Sequence, residues 1–320
     1  MVASVDNAVA RGANPTGVSN SAPAIQAALD TDGACYIPAG VYRIDTGLTL
    51  GSGQTLFGEG MGDPQVSGEV GTVLKGNGLS GPLLTVSATS HAVVENLNIQ
   101  DAPVGIQVNT STQNSKVFRN IKISGCTRGV QSSASSAIWM SSFQNIQVMN
   151  PLVGFDFTAA LDNTTLNLMS CHVVNLQSGG TGFFFNGGVS CPIVGCSVTG
   201  VTTTNAYAIR GHQQAWSLPI VGFLFRDNAC GIIELRHGLS SASMLGGYFD
   251  TDRCTAGSPP LFDIEGGDFV ATGIHVAGAQ NYPTICNEGG RAVFQEPKPN
   301  LRSFPGMPAG VKILFDGAYV

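Results

Sequence analysis

Between about Glu95 and Val276, short segments alternate apolar and polar residues and return at a near-constant interval. Asn96–Ile99, Asn120–Ile123, Asn145–Val148, Ser170–Val173, Gly195–Val198 and Gly222–Phe225 start 24, 25, 25, 25 and 27 residues apart. A weaker member starts near Gly247, and Gly273–Val276 closes the series. In each, the second and fourth positions are apolar or cysteine and the third is usually polar, the period-two pattern of a strand with one buried face. A second series travels with the first: Gly105–Val108, Gly129–Gln131, Gly154–Phe157, Gly182–Phe185, Tyr207–Ile209, Ile233–Leu235 and Phe262–Ile264. Each member follows its partner by eight to twelve residues, until the register loosens at the last.

Two phased signals with one period mark a repeat architecture. Short polar links with Gly, Asn, Ser and Thr at the corners predict coils of parallel strand. A coil of about 25 residues has a perimeter of roughly 80 Å, and coils stack about 4.8 Å apart. The expected fold class is all-β, a single-stranded parallel β-helix. Ahead of it, Ser21 is placed to N-cap a short helix over residues 22 to 30, with Pro23 in the first turn and Asp32-Gly33 at its end. That helix is expected to cover the first open coil, since bare strand edges invite aggregation. The expected divisions are an N-terminal segment with capping helix (1–34), the β-helix (35–293) and a C-terminal tail or cap (294–320). Residues 63–70 read as a small excursion from the wall.

Composition narrows the partners. Charged residues make up 11% of the 320 and the net charge is -6, against about 25% charged in an ordinary domain. No basic run is present, which argues against nucleic acid. No apolar stretch reaches the length of a membrane span, so no membrane insertion is expected. The N-terminus carries no secretion signal pattern. The eight cysteines lack the spacing of a zinc site. Cys171 and Cys196 fall in the apolar column of Leu97, Ile121 and Ile146 and read as stacked buried hydrophobes, with a Cys191–Cys196 bridge as the alternative. No metal or other cofactor is expected.

Asn20–Asp30, Cys35–Ile44, Leu48–Leu50, Gln54–Gly62 and Gly71–Gly76 together resemble the opening of the pectate-lyase-like superfamily. More narrowly, they resemble the start of the β-helix in bacteriophage tail spikes and tail-associated polysaccharide depolymerases. The family's usual Gly-Asp-Gly-x-x-Asp-Asp-Thr stretch is replaced by Ala13–Ser21, without its acids. The resemblance implies a right-handed helix, a parallel homotrimer, and a virion tail location with action outside the cell. The implied partners are a bacterial surface polysaccharide and other tail or baseplate proteins.

Outward residues on successive coils form columns that suit an extended polymer. One column is expected to read Asn98, Lys122, Gln147, His172, Ser197 and His275. The other reads Gln107, Gln131, Asp156, Phe184, Ala208, Glu234 and Asp263. Glu234 and Asp263 are then one rung apart, near the spacing of a retaining glycosidase pair. A denser acidic group comprises Asp250, Asp252, Asp263, Glu265 and Asp268, with Arg253 nearby. Asp250 and Asp263 are the first-choice catalytic pair, with Glu234 and Glu265 as substitutes. Asp156, Phe184, Arg210, His212, Trp216, Arg236, His237, Asp252 and Arg253 are candidate sugar contacts. Trp139, Tyr207, Tyr248 and Tyr282 are further platforms or subunit contacts. A uronic-acid lyase would instead use Arg210, His212, Arg236 and His237, with Asp250 and Asp252 as calcium ligands. A non-catalytic receptor-binding or structural tail protein is the rival of another class, and a host-encoded pectin-like enzyme comes third.

Overall fold

The structure is a computed structural model. It describes residues 5–66, 68–109, 115–133, 140–158, 164–187, 189–201, 205–212, 217–227, 231–236, 241–250, 260–277, 284–287, 290–295, 298–299, 311–315 and 318–319. A typical coil has three straight segments. The strand Ala92–Gln100 bends at Asn96, the chain turns again at Asp101, and the strand Val104–Val108 follows. Lys116–Ser124 with Arg128–Ser132, and Ser141–Met149 with Val153–Phe157, repeat the outline. The two segments either side of the bend form a first and a second wall, both within one 21-stranded sheet. The third wall is a separate ten-stranded sheet running from Leu48–Leu50 to Thr284–Asn287. Rungs pair parallel, so Ile121 lies opposite Leu97 and Ile146, and Val130 opposite Ile106 and Phe155. This is the expected parallel solenoid.

The corners explain the composition. The residue that opens each repeat sits in the left-handed region: Asn96, Asn120, Asn145, Ser170, Gly195, Gly222, Gly246 and Gly273 have φ between 52° and 62°. An L-residue pays about 1–2 kcal/mol there, least for Asn and nothing steric for Gly. The asparagines also pair: Asn120 Nδ2 donates to Asn96 Oδ1 and Asn145 Nδ2 to Asn120 Oδ1, both at 3.0 Å. A second corner column holds Asp101, Gly125, Asn150, Asn175, Gly200 and Asp227, all with positive φ.

Inward positions fill the shaft. Phe155 and Phe183 stack with centroids 5.0 Å apart, and Phe118 and Phe143 stack at 4.6 Å. Cys171 and Cys196 are buried in the Leu97 column, with the Cys171 N–H donating to Cys196 Sγ at 3.3 Å. Both are free thiols, as is Cys191, so the alternative bridge is not formed. Burial pushes the Cys171 and Cys191 thiols well above their ordinary range, which leaves them inert.

The helix α1 (Ala22–Asp32) buries Ala22, Ile25, Ala28 and Leu29 and ends on left-handed Gly33. It covers an edge chemically as well as sterically. The Gln26 amide donates to the Thr49 carbonyl (3.0 Å) and accepts the Thr49 N–H (2.9 Å), pairing the first strand of the third wall. Ser21 holds the N-cap position but makes no side-chain cap. Its Oγ accepts the Asn14 N–H at 3.0 Å, and Asn20 Oδ1 takes the Ala22 N–H at 3.1 Å instead. An antiparallel bridge between Met61 and Gly71 closes the excursion at 63–70. Strands Thr16–Asn20 and Asp6–Asn7 join the first sheet before the helix, and Arg291–Gln295 and Val311–Phe315 extend it afterwards. Among the described residues no helix is long and apolar enough to cross a membrane.

One rung differs from the sequence reading. The outward residue between Phe184 and Glu234 is Arg210, not Ala208. Ala208 is fully buried and follows Gly105, Gly129, Gly154 and Gly182 in a column of small residues. A Cβ on Gly182 would stand 2.6 Å from the Ala208 carbonyl oxygen, so crowding between rungs holds this stretch of the column to Gly and Ala, between Leu83 before it and Ile232 after it.

Candidate functional site

The outward column of the third wall reads Gln107, Gln131, Asp156, Phe184, Arg210, Glu234 and Asp263, one residue per rung. Its early members are amides. From Tyr207–His212 onward it becomes a network of charge. Glu234 is 4% exposed and lies at the centre. Its Oε1 accepts from Arg236 Nε at 2.6 Å. Its Oε2 lies 3.3 Å from His212 Nε2, and 2.6 Å from Arg210 Nε, which is out of line for a hydrogen bond and acts as a charge contact. Burial opposes charge on Glu234, but His212, Arg210 and Arg236 together outweigh it and hold the carboxyl down at about 2.

Arg236 reaches three acids on two rungs. Besides Glu234, its Nη1 donates to Glu265 Oε2 at 2.7 Å, and its Nη2 lies 3.7 Å from Asp263 Oδ2. Asp263 also faces the Tyr207 hydroxyl at 3.4 Å. Burial, with the neighbouring Glu234 and Glu265 charges, raises the Asp263 carboxyl above its ordinary value, and Arg236 and Tyr207 only partly oppose that. Two carboxylates one rung apart are thus shifted in opposite directions, Glu234 down and Asp263 up.

Tyr207 is buried rather than an open platform, with the Arg210 guanidinium 5.0 Å above its ring. Phe184 does point outward, and it has a partner: His212 meets it edge-on at 5.2 Å. Asp156, two rungs before Arg210, is nearly sealed, holding Arg128 Nε (2.8 Å), Gln131 Nε2 (3.3 Å) and the Thr158 hydroxyl (3.0 Å). Asp250 ends the strand Ser241–Asp250 of the other sheet, opposite Ala277, so it is not a rung partner of Asp263. Trp139, Trp216, His237, Asp252, Arg253 and Tyr282 lie outside the described residues. The structure therefore brings Arg210, His212, Glu234, Arg236, Asp263 and Glu265 together, and adds Tyr207 as a buried member. The small-residue column was the signal that would have placed Arg210 correctly.

Residues 5–82 match the family model described as rhamnogalacturonase A/epimerase, pectate lyase-like. Comparison with curated proteins gives no match. Solved structures share the fold along nearly the whole chain. The gp42 tailspike of Acinetobacter phage vb_AbaP_AS12 is 13% identical, with a TM-score of 0.69 over 99% of this chain and 64% of its own. ORF18 of Geobacillus virus E2 is 15% identical (TM-score 0.62; 97% and 60% covered). The enzymatically active domain of tailspike protein 2 of bacteriophage CBA120 is 12% identical (TM-score 0.55; 97% and 51% covered). The chain thus spans about half to two thirds of those proteins. The opening expected to be pectate-lyase-like is the part that the family model matches, and the expected parallel β-helix is the fold shared with those structures.

Proposed function

We propose that this β-helix binds a bacterial surface polysaccharide along its third wall and hydrolyses it, as part of a tail-spike-like homotrimer acting outside the cell. The observation that carries the reading is the pair Asp263 and Glu265, two residues apart on one strand and both reached by Arg236, with burial raising the Asp263 carboxyl above its ordinary value. A glycoside hydrolase needs one carboxyl that keeps its proton and one that activates water or attacks. Asp263 fits the first role. Glu234 does not fit the second, because its oxygens are engaged by Arg210, His212 and Arg236 and it is buried; it anchors the cluster. Glu265 fits better. It lies two residues from Asp263 on the strand Phe262–Glu265, on the same outward face. Two residues of strand set their backbones about 6.7 Å apart, and both carboxylates reach the same Arg236 guanidinium.

In this mechanism Asp263 protonates the glycosidic oxygen while Glu265, oriented by Arg236, deprotonates the attacking water. Phe184, edge-on to His212, offers an apolar platform three rungs away. The lyase alternative loses support, since Arg210, His212 and Arg236 are directed at Glu234 rather than at open solvent. The test is to incubate the protein with capsule and lipopolysaccharide from a panel of bacteria and follow polymer length by size exclusion. Shortening by the wild type, lost by at least a hundredfold in folded Asp263→Asn and Glu265→Gln, is expected. Loss in Asp250→Asn alone would move the acid to the first-choice sequence pair. Saturable binding without shortening by any preparation would make the chain a receptor-binding module instead.

A further inference from the structure

Among the described residues thirteen large hydrophobic side chains are exposed, and six of them make one patch on the first sheet. Met169, Val194, Val221 and Leu245 form a single column on four successive rungs of the first wall. Leu224 and Tyr248 stand on two of the same rungs, just across the corner on the second wall. The column is bounded by Gln144 on one side and Thr272 on the other, and no charge interrupts its four rungs. Exposure rises to 60% at Leu245.

A second observation lies in the corner between those walls. Upstream it carries Asn96, Asn120 and Asn145; beside the patch it becomes Ser170, Gly195, Gly222 and Gly246. The left-handed backbone does not demand this change, because asparagine serves the same φ three times. Nor does crowding within the chain, because a Cβ on Gly222 or Gly246 would meet nothing within 4 Å. Bare backbone in open space, flanked by apolar columns, suits the close approach of another surface.

We infer that this patch is where copies of this chain meet one another. Six side chains exposed to this degree present on the order of 500 Å² of surface, in the upper part of the range for the largest apolar patch on a monomer, a patch that is often functional. With a polar rim that approaches the roughly 800 Å² per partner of a standard interface. The occupant follows from the periodicity. The column repeats about every 4.8 Å over four rungs, and a second β-helix has the same repeat, so each knob meets a matching rung rather than falling progressively out of step. The charged cluster lies on the third wall of the same coils and remains outside the contact. This inference uses only the assembly part of the reading above and stands if the protein cleaves no sugar.

The experiment is light scattering on the full chain from 0.1 to 50 µM, for wild type and the double variant Val221→Glu, Leu245→Glu. The wild type is expected to be a single oligomer, and the double variant a monomer with unchanged far-UV circular dichroism, its association weakened at least a hundredfold. A monomeric wild type, or a double variant that assembles normally, overturns the inference. Should the double variant misfold, the conservative Leu245→Cys decides. Its reaction with a maleimide is expected to be at least tenfold slower than that of Val18→Cys, an exposed position on the strand Thr16–Asn20. Equal rates in the native protein, or slowing that appears only when a glycan is added in a parallel arm, overturn the inference.

Discussion

The coils from about residue 166 to 277 show two unlike surfaces at the same height. On the third wall, Arg210, His212, Glu234, Arg236, Asp263 and Glu265 join in one charged network. On the first wall, the Met169 to Leu245 column carries no charge and stays open. The inward residues beneath both are alike: Phe183, Ile209, Ile233 and Phe262 under one, Ile193, Ile220 and Met244 under the other. The fold fixes the inward set and leaves the outward set nearly free. Chemical separation on one shaft is therefore not a by-product of folding, and it is what the proposed chemistry on one wall and the inferred contact on another both rest on.

The largest effect is expected at the centre of the charged network. Glu234→Ala removes a buried carboxylate and leaves Arg210, Arg236 and His212 facing one another. Breaking a buried ion cluster by removing one partner costs about 3 kcal/mol or more. Urea unfolding at pH 7 measures it. Asp263→Asn is expected to be neutral or slightly stabilising in the same assay, because burial already disfavours the Asp263 charge. A similar loss for both variants would mean that the two carboxylates are not differentiated, and the acid–base assignment falls with that.

A smaller effect sharpens the same contrast through pH. Glu234 is held at about 2 against an ordinary 4.5, so the unfolded chain binds that proton more tightly. The stabilisation from Glu234 is complete above about pH 4.5 and is lost as the pH falls toward 2. Asp263 is raised above 3.8, so the folded chain binds its proton more tightly, and its charge costs stability as the pH rises past 3.8. The stability gap between wild type and Glu234→Gln should close as the pH drops from 4.5 to 2. The gap between Asp263→Asn and wild type should open in the variant's favour as the pH rises from 3.8. Parallel curves for both variants would contradict the geometry.

The second and third walls and their order were legible because inward alternation is a local pattern repeated about every 25 residues; the first wall, the segment ahead of each bend, was not read. The pairing of Glu234 with Asp263 was legible for the same reason. What escaped depended on contacts between rungs. Tyr207-Ala208-Ile209 has the same apolar flanks as a true repeat, and only the crowding above Gly182 shows that Ala208 faces inward and Arg210 outward. The engagement of Glu234 by Arg210, His212 and Arg236 depends on burial, which no spacing reveals. The open stripe was within reach: Met169, Val194, Val221 and Leu245 each precede the residue that opens a repeat, and a register drawn one position earlier would have shown the column.

The smallest expected effect tests whether the stripe is free of any role in folding. Leu245 is exposed and replaces nothing inside the shaft, so Leu245→Gln should change the stability of the single chain by no more than about 0.5 kcal/mol. Its signature should be elsewhere. If copies meet on this wall, the wild-type unfolding midpoint rises with protein concentration, because assembly binds only the folded form. In Leu245→Gln that dependence should weaken, while the midpoint at the lowest concentration stays where it was. Thermal unfolding at several dilutions separates the two. A loss above about 1 kcal/mol at every dilution would show that Leu245 packs within its own chain, and the first wall would then be a supporting face like the rest of the shaft.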